Sequence, residues 1–174
     1  RGWVGAQNTG SIIIKNCKIG VGNNSSGSWL LADLNTESSA ATGKLDKIVV
    51  DGGLFTNCAG SFACRGVAAD PIDSCEYTNN VVNYGSGAYA QDSLFWSTFE
   101  VNNCVSVKCT GNTVTGAART TGQSRHFLQA WSRSPHAWCL TFEKNTVSGF
   151  RMAVGLPCSD TFYVPSGRNP LYKI

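Results

Sequence analysis

Apolar and polar residues alternate in five short stretches of this chain, and the five stretches align on one another. Ile12 to Lys15, Ile48 to Asp51, Cys75 to Thr78, Val107 to Thr110 and Leu140 to Glu143 each place an apolar side chain at the first and third positions. A third apolar column follows in Ile19, Phe55, Val82, Val114 and Val147. Alternation with period two marks a strand with one buried face. Between the two runs of each copy stands Cys17, Gly53, Asn80, Asn112 or Asn145, and four of these five anchors are Asn or Gly. Both residue types tolerate left-handed backbone, so the spacing predicts a bend at the anchor. The gaps between anchors are 36, 27, 32 and 33 residues, with a mean of 32. An uneven repeat of this length is one supersecondary unit stacked on copies of itself, with loops of different length between copies. Stacking would bring the anchor asparagines one layer apart, where their amides can hydrogen-bond as a ladder.

A second set of columns follows each copy. Leu31, Cys64, Ala90, Leu128 and Met152 align as inward positions, with Trp29, Phe62, Ala88, His126 and Phe150 two residues earlier. Each unit then carries a third strand, and successive units pair in parallel. The outward column beside them reads Ala32, Arg65, Gln91, Gln129 and Ala153, with Asp33 and Asp92 at the strand ends.

Inward apolar columns with an Asn at a bend resemble the right-handed parallel β-helix of the pectate-lyase-like superfamily, over roughly residues 11–157. The expected fold is therefore all-β, a right-handed parallel β-helix (β-solenoid) of about five coils. A β-sandwich is the alternative, but Asp51-Gly52 is the only Asn-Gly or Asp-Gly pair that could turn a hairpin. The resemblance implies an extended, acidic polysaccharide as ligand and a hydrolase or lyase activity, as in a bacteriophage tailspike or a secreted polysaccharide enzyme. It also implies a homotrimer and an extracellular or virion-surface location. The short motifs of the lyase families around a basic catalytic residue are not recognisable in this chain. The rival class is a non-enzymatic β-solenoid: an adhesin, a filament or coat subunit, or a carbohydrate-binding module.

The chain has the size of one domain, 174 residues, and only 14% of them are charged. A net charge of +3 is too small to argue for nucleic acid. No apolar run approaches a membrane span. The chain starts and stops close to a repeat without an amphipathic cap, and solenoid ends need cover. That pattern predicts a segment of a longer chain, or ends covered by other subunits. The eight cysteines permit two readings. Cys64, Cys75 and Cys109 fall in inward columns, where a thiol serves as a small apolar group; an even number also permits disulfides in an oxidising compartment. No Cys or His spacing suits zinc, and no metal is expected beyond a possible calcium ion.

Three groups of residues could carry chemistry. Arg65, Gln91, Asp92 and Gln129 would form one polar patch across successive units. Asp92 would act as acid, base or nucleophile, and Arg65 would neutralise a uronate. The competing reading is a solvated strand face. The stretch from Arg119 to Trp138 is dense in cations and aromatics, and Arg125, Trp131, Arg133 and His136 would stack on or pair with an anionic glycan. His126, sharing a column with Phe62, is expected to be a buried histidine. Asp70 and Asp73, with Glu100 in the next unit, would form a carboxylate set for glycosidic chemistry or calcium, or an ordinary turn.

Overall fold

The computed structural model describes residues 10–20, 30–35, 45–56, 61–67, 70–83, 97–115, 126–131, 139–149, 152–155 and 171–173. For 30–35, 61, 97, 126, 129, 131, 152, 153, 155 and 171–173 it describes the backbone alone. The described residues are all-β and contain no helix.

The strands run in sequence order as β1 (Gly10–Lys15), β2 (Lys18–Gly20), β3 (Leu30–Asn35), β4 (Leu45–Asp51), β5 (Leu54–Thr56), β6 (Ser61–Arg65), β7 (Ile72–Thr78) and β8 (Val81–Asn83). They continue as β9 (Ser97–Asn102), β10 (Cys104–Thr110), β11 (Thr113–Thr115), β12 (His126–Trp131), β13 (Cys139–Glu143), β14 (Thr146–Ser148), β15 (Met152–Gly155) and β16 (Leu171–Lys173). They form three sheets. The first has the order β1-β4-β7-β10-β13-β16, the second β2-β5-β8-β11-β14, and the third β3-β6-β9-β12-β15. Every strand pairs in parallel with the strand three places along the chain. The chain thus visits the three sheets in rotation, and each visit to all three is termed a pass below.

The inward columns of the first two sheets follow the periodicity residue by residue. Ile12, Ile48, Cys75, Val107 and Leu140 are register partners in turn, as are Ile14, Val50, Tyr77, Cys109 and Phe142. Ile19, Phe55, Val82, Val114 and Val147 make the third row. In the middle three passes these side chains are fully buried, while Ile12, Ile14, Ile19, Phe142 and Val147 are partly buried against the same core. Each fully buried large side chain contributes about 1.5–3 kcal/mol relative to exposure. Aromatic rings link the three sheets across the interior: Phe55 of the second sheet meets Phe62 at 5.7 Å, and Tyr77 stacks on Phe99 with centroids 5.1 Å apart and meets Phe62 and Phe127 at 6.1 Å.

The bend lies one residue before the predicted anchor. Asn16, Gly52, Asn79, Gly111 and Lys144 have φ between 53° and 70°. Their amides still donate along the first sheet, as from Asn79 to the Thr110 carbonyl at 2.9 Å and from Gly111 to that of Glu143 at 3.1 Å. The anchor amide is the one that points away from the backbone ladder, and an asparagine takes it. Gly53, Asn80 and Asn112 donate their N–H to the Oδ1 of Asn80, Asn112 and Asn145 at 2.8, 2.9 and 3.0 Å. The Nδ2 groups of Asn80, Asn112 and Asn145 donate to the carbonyls of Val50, Tyr77 and Cys109 in the preceding pass. Side-chain amides also join to each other, Asn80 to Asn112 at 3.1 Å and Asn112 to Asn145 at 2.8 Å. This is the predicted ladder, and it meets the rule that buried backbone groups find partners.

The third sheet departs from the predicted columns. Its rows are Ala32, Phe62, Phe99, Leu128 and Val154, then Leu34, Cys64, Val101 and Ala130. Cys64 therefore lies beside Leu34 and Val101, not beside Leu31 and Ala90. His126 pairs with Ser97 and Met152, not with Phe62. The segments between the second and third sheets differ in length, so nothing in the spacing fixes its register.

Candidate functional site

The third sheet has a core face and a polar face. Phe62, Cys64, Phe99, Val101, Leu128 and Ala130 belong to the core. Between them, on β6 and β9, stand Ala63, Arg65, Glu100 and Asn102. Backbone register extends these into two rows: Asp33, Ala63, Glu100, Gln129 and Gly155, and Asn35, Arg65, Asn102 and Trp131. Neighbouring positions in a row are about 4.8 Å apart, and the rows about 6.6 Å apart.

Arg65 and Glu100 bridge the two rows. The Arg65 Nε lies 3.4 Å from the Glu100 Oε1, and both side chains are half-buried, 31% and 23% exposed. Ala63 and Asn102 on the same face are buried. The outward positions of the second sheet differ: Leu54, Val81, Thr113, Thr115, Thr146 and Ser148 are exposed. The polar face of the third sheet is therefore a shielded surface. An ion pair there is screened less than one in open solvent, and its charges act more strongly on a neighbour.

The strand ends that carry this pair are fixed by the chain's corners. Asn103 has φ 51°, which ends β9 and starts β10. Its Nδ2 donates to the Gly66 carbonyl at 2.8 Å, and the Gly66 amide donates to the Asn102 carbonyl at 2.8 Å. These bonds lock the residue after Arg65 to the residues after Val101, so the positions of Arg65 and Asn102 are set by backbone geometry.

Of the residues singled out from the sequence, the fold brings Arg65, Glu100, Gln129 and Trp131 into two adjacent rows. Arg65 and Gln129 do not share a column, because the register of β6 and β12 is offset by two residues from the sequence alignment. Gln129 and Trp131 lie on β12, and Trp131 is not in a loop. The third-sheet strand of the third pass is β9; Gln91 and Asp92 lie outside the described residues. Arg125, Arg133 and His136 also lie outside them. Asp73 is exposed on β7 of the first sheet, whereas Glu100 is on the third. Asp73 and Glu100 are thus held on different sheets.

One residue on this face escaped the sequence reading. Asn102, buried beside Arg65, is hidden because no repeat signal marks the start of β9. Asp33, which the sequence places at a strand end beside the outward column, stands in the row of Glu100 with small Ala63 between them. Among the described residues no cluster of three His, Cys, Asp or Glu side chains is arranged to hold a metal ion, and no helix is long and apolar enough to cross a membrane. No protein-family model, no curated protein and no solved structure matches this chain.

Proposed function

We propose that the chain is a right-handed parallel β-helix of about five coils that binds an extended, acidic polysaccharide along the polar face of its third sheet. The observation that carries the reading is the half-buried Arg65–Glu100 pair on rows repeating at strand spacing. A regular polymer laid along the strand-stacking direction meets the same kind of position at each step. Arg65 supplies a guanidinium that matches a uronate carboxylate, while the positions of Gln129 and Trp131, one strand beyond Glu100 and two beyond Arg65, carry an amide and an aromatic residue. Right-handed crossover is the rule for parallel strands joined within one sheet, which supports the handedness.

In this reading the chain also cleaves the polymer, with Glu100 as one carboxylate of a hydrolytic pair. Asp33 is the companion offered by register, since two strand spacings put their backbone positions roughly 9–10 Å apart. Inverting glycosidases hold their carboxyls about 6.5–9.5 Å apart, room for one water. Asp92 is the further acid proposed for this chemistry. The protein would act outside the cell or on a virion surface, as a trimer or as part of a longer chain.

A binding-only function has one observation in its favour: the Glu100 carboxylate is held by Arg65. A depolymerisation screen over capsule, pectin and alginate polymers, read by reducing ends and by absorbance of unsaturated uronate, separates the readings. New ends without absorbance, lost in Glu100→Gln, support the hydrolase. Retained binding without new ends supports the module. An Arg65→Ala protein that binds every polymer as tightly as the parent would sink the assignment of this face.

A further inference from the structure

The outward face of the second sheet takes no part in the site above, and its geometry repeats without interruption. Strands β2, β5, β8, β11 and β14 are three residues each and pair residue for residue, whereas register shifts occur at Gly10 in the first sheet and at Leu30 in the third. The backbone step between passes is the same each time: the amides of Leu54, Val81, Thr113 and Thr146 donate to the carbonyls of Cys17, Gly53, Asn80 and Asn112, all at 2.8 Å. The middle residue of each strand packs into the core, so the outer two form two outward rows. One row is Lys18, Leu54, Val81, Thr113 and Thr146; the other is Gly20, Thr56, Asn83, Thr115 and Ser148. Thr56 is half-buried and the rest are exposed. Positions recur about every 4.8 Å along a row, and the rows lie about 6.6 Å apart.

The chemistry of the rows narrows what can bind them. Lys18 at one end is the only charged residue in either row, and neither row has an aromatic ring. An acidic polymer finds no cation beyond the first pass, and sugar rings find nothing to stack on. The face spans about 24 Å by 10 Å, roughly 240 Å², against about 800 Å² per partner in a standard protein interface. Threonine is stiff at χ1, so the methyl and hydroxyl groups of Thr113, Thr115 and Thr146 are held close to fixed positions, and the Ser148 hydroxyl completes a block of four. Leu54 and Val81, 37% and 45% exposed, extend the apolar part of this surface. A rigid, uncharged lattice of this kind suits a ligand that is itself a rigid lattice of hydrogen-bonding groups.

We propose that the outward face of the second sheet binds ice. The repeat distances between oxygens on the faces of hexagonal ice are close to both spacings of the rows. Water beside the methyl groups is ordered by contact with apolar surface, and the threonine and serine hydroxyls hydrogen-bond it at those spacings. That water joins the crystal at little further cost, because the sheet is ordered before it binds. Adsorbed chains hold back the growing crystal surface between them, so small crystals persist where larger ones would otherwise consume them. This face and its ligand are independent of the polysaccharide reading of the third sheet.

The test grows ice slowly from a solution of the whole chain and compares the protein in the melted ice with that in the remaining liquid by absorbance. The parent is expected to be enriched in the ice and to retard recrystallisation of a fine-grained ice film. Thr113→Tyr and Thr115→Lys, each checked for the parent's circular-dichroism spectrum, are expected to lose both effects. Lys108→Ala, at an exposed position of the first sheet, is expected to keep them. Exclusion of the parent from the ice overturns the proposal, and so does a folded Thr113→Tyr or Thr115→Lys protein that enters ice as the parent does. Sedimentation covers the other occupant: a parent dimer that Thr113→Tyr splits gives the face to a second copy and overturns the proposal as well. Either substitution suffices for the comparison if the other does not fold.

Discussion

Asn112 has two acceptor lone pairs and two amide hydrogens on its side chain, and the fold uses all four. Its Oδ1 takes the Asn80 backbone and side-chain amides, and its Nδ2 gives to Tyr77 and Asn145. Asn112→Ala leaves a buried amide and a buried carbonyl without partners, which costs about 3 kcal/mol in a urea titration. Asn145→Ala, at a half-buried layer, costs less. The left-handed positions offer a paired test. Gly111→Ala puts a Cβ at φ +70° and 2.6 Å from the Asn79 Oδ1, so it destabilises. Lys144 already occupies such a position at φ 55°, and Lys144→Gly relieves about 1 kcal/mol of backbone strain, read as a higher midpoint. Asp51 gives a pH signature. Hydrogen bonds from Asn79 first and Thr78 second hold its carboxyl below the ordinary carboxylate value. A lowered folded-state pKa gives stability that is complete above the unfolded value and lost as pH falls through the folded one. The stability decline below about pH 4 is therefore expected to be shallower in Asp51→Asn, measured by thermal melts across that range.

At the scale of elements, the three sheets were not equally legible. In the first two sheets, strand, bend and short strand are joined without a variable loop. Local spacing there fixes the register, and the predicted columns match the pairing row by row. The third sheet follows chain segments of unequal length. There apolar residues alone suggest the strand positions, and in the third pass they point to Ala88 and Ala90, ahead of β9. The consequence falls on the candidate site. Arg65 and Glu100 come from strands whose mutual register is invisible to periodicity, so their pairing could not be read from the chain. A double-mutant cycle of Arg65→Ala and Glu100→Ala is expected to give a coupling under about 1 kcal/mol for stability. The same cycle is expected to show a larger coupling in polymer binding if that face is where the polymer lies.

For the molecule as a whole, the gradient of burial predicts the order of opening. Core residues of the middle passes are fully buried, while Ile12, Ile14 and Ile19 at one end and Phe142 and Val147 at the other are only partly so. Stacked units are stabilised by their neighbours, and outer units have one neighbour fewer. Amide hydrogen exchange of this chain is expected to be slowest in β7, β8, β10 and β11 and faster in β1, β2, β14 and β16, the end strands of the first two sheets. Uniform protection across all passes would contradict that order.

The sequence by itself determined the all-β class, the repeat, the inward columns of two sheets and the asparagine ladder. Each follows from interactions between residues at short or regularly repeating separations. Only the tertiary structure decided the register of the third sheet, the one-residue displacement of the bend and the meeting of Arg65 with Glu100. The first and the last depend on where the chain returns after connecting segments of variable length. The physical reason is that the path of such segments is set by the packing of the sheets they join, not by the residues within them.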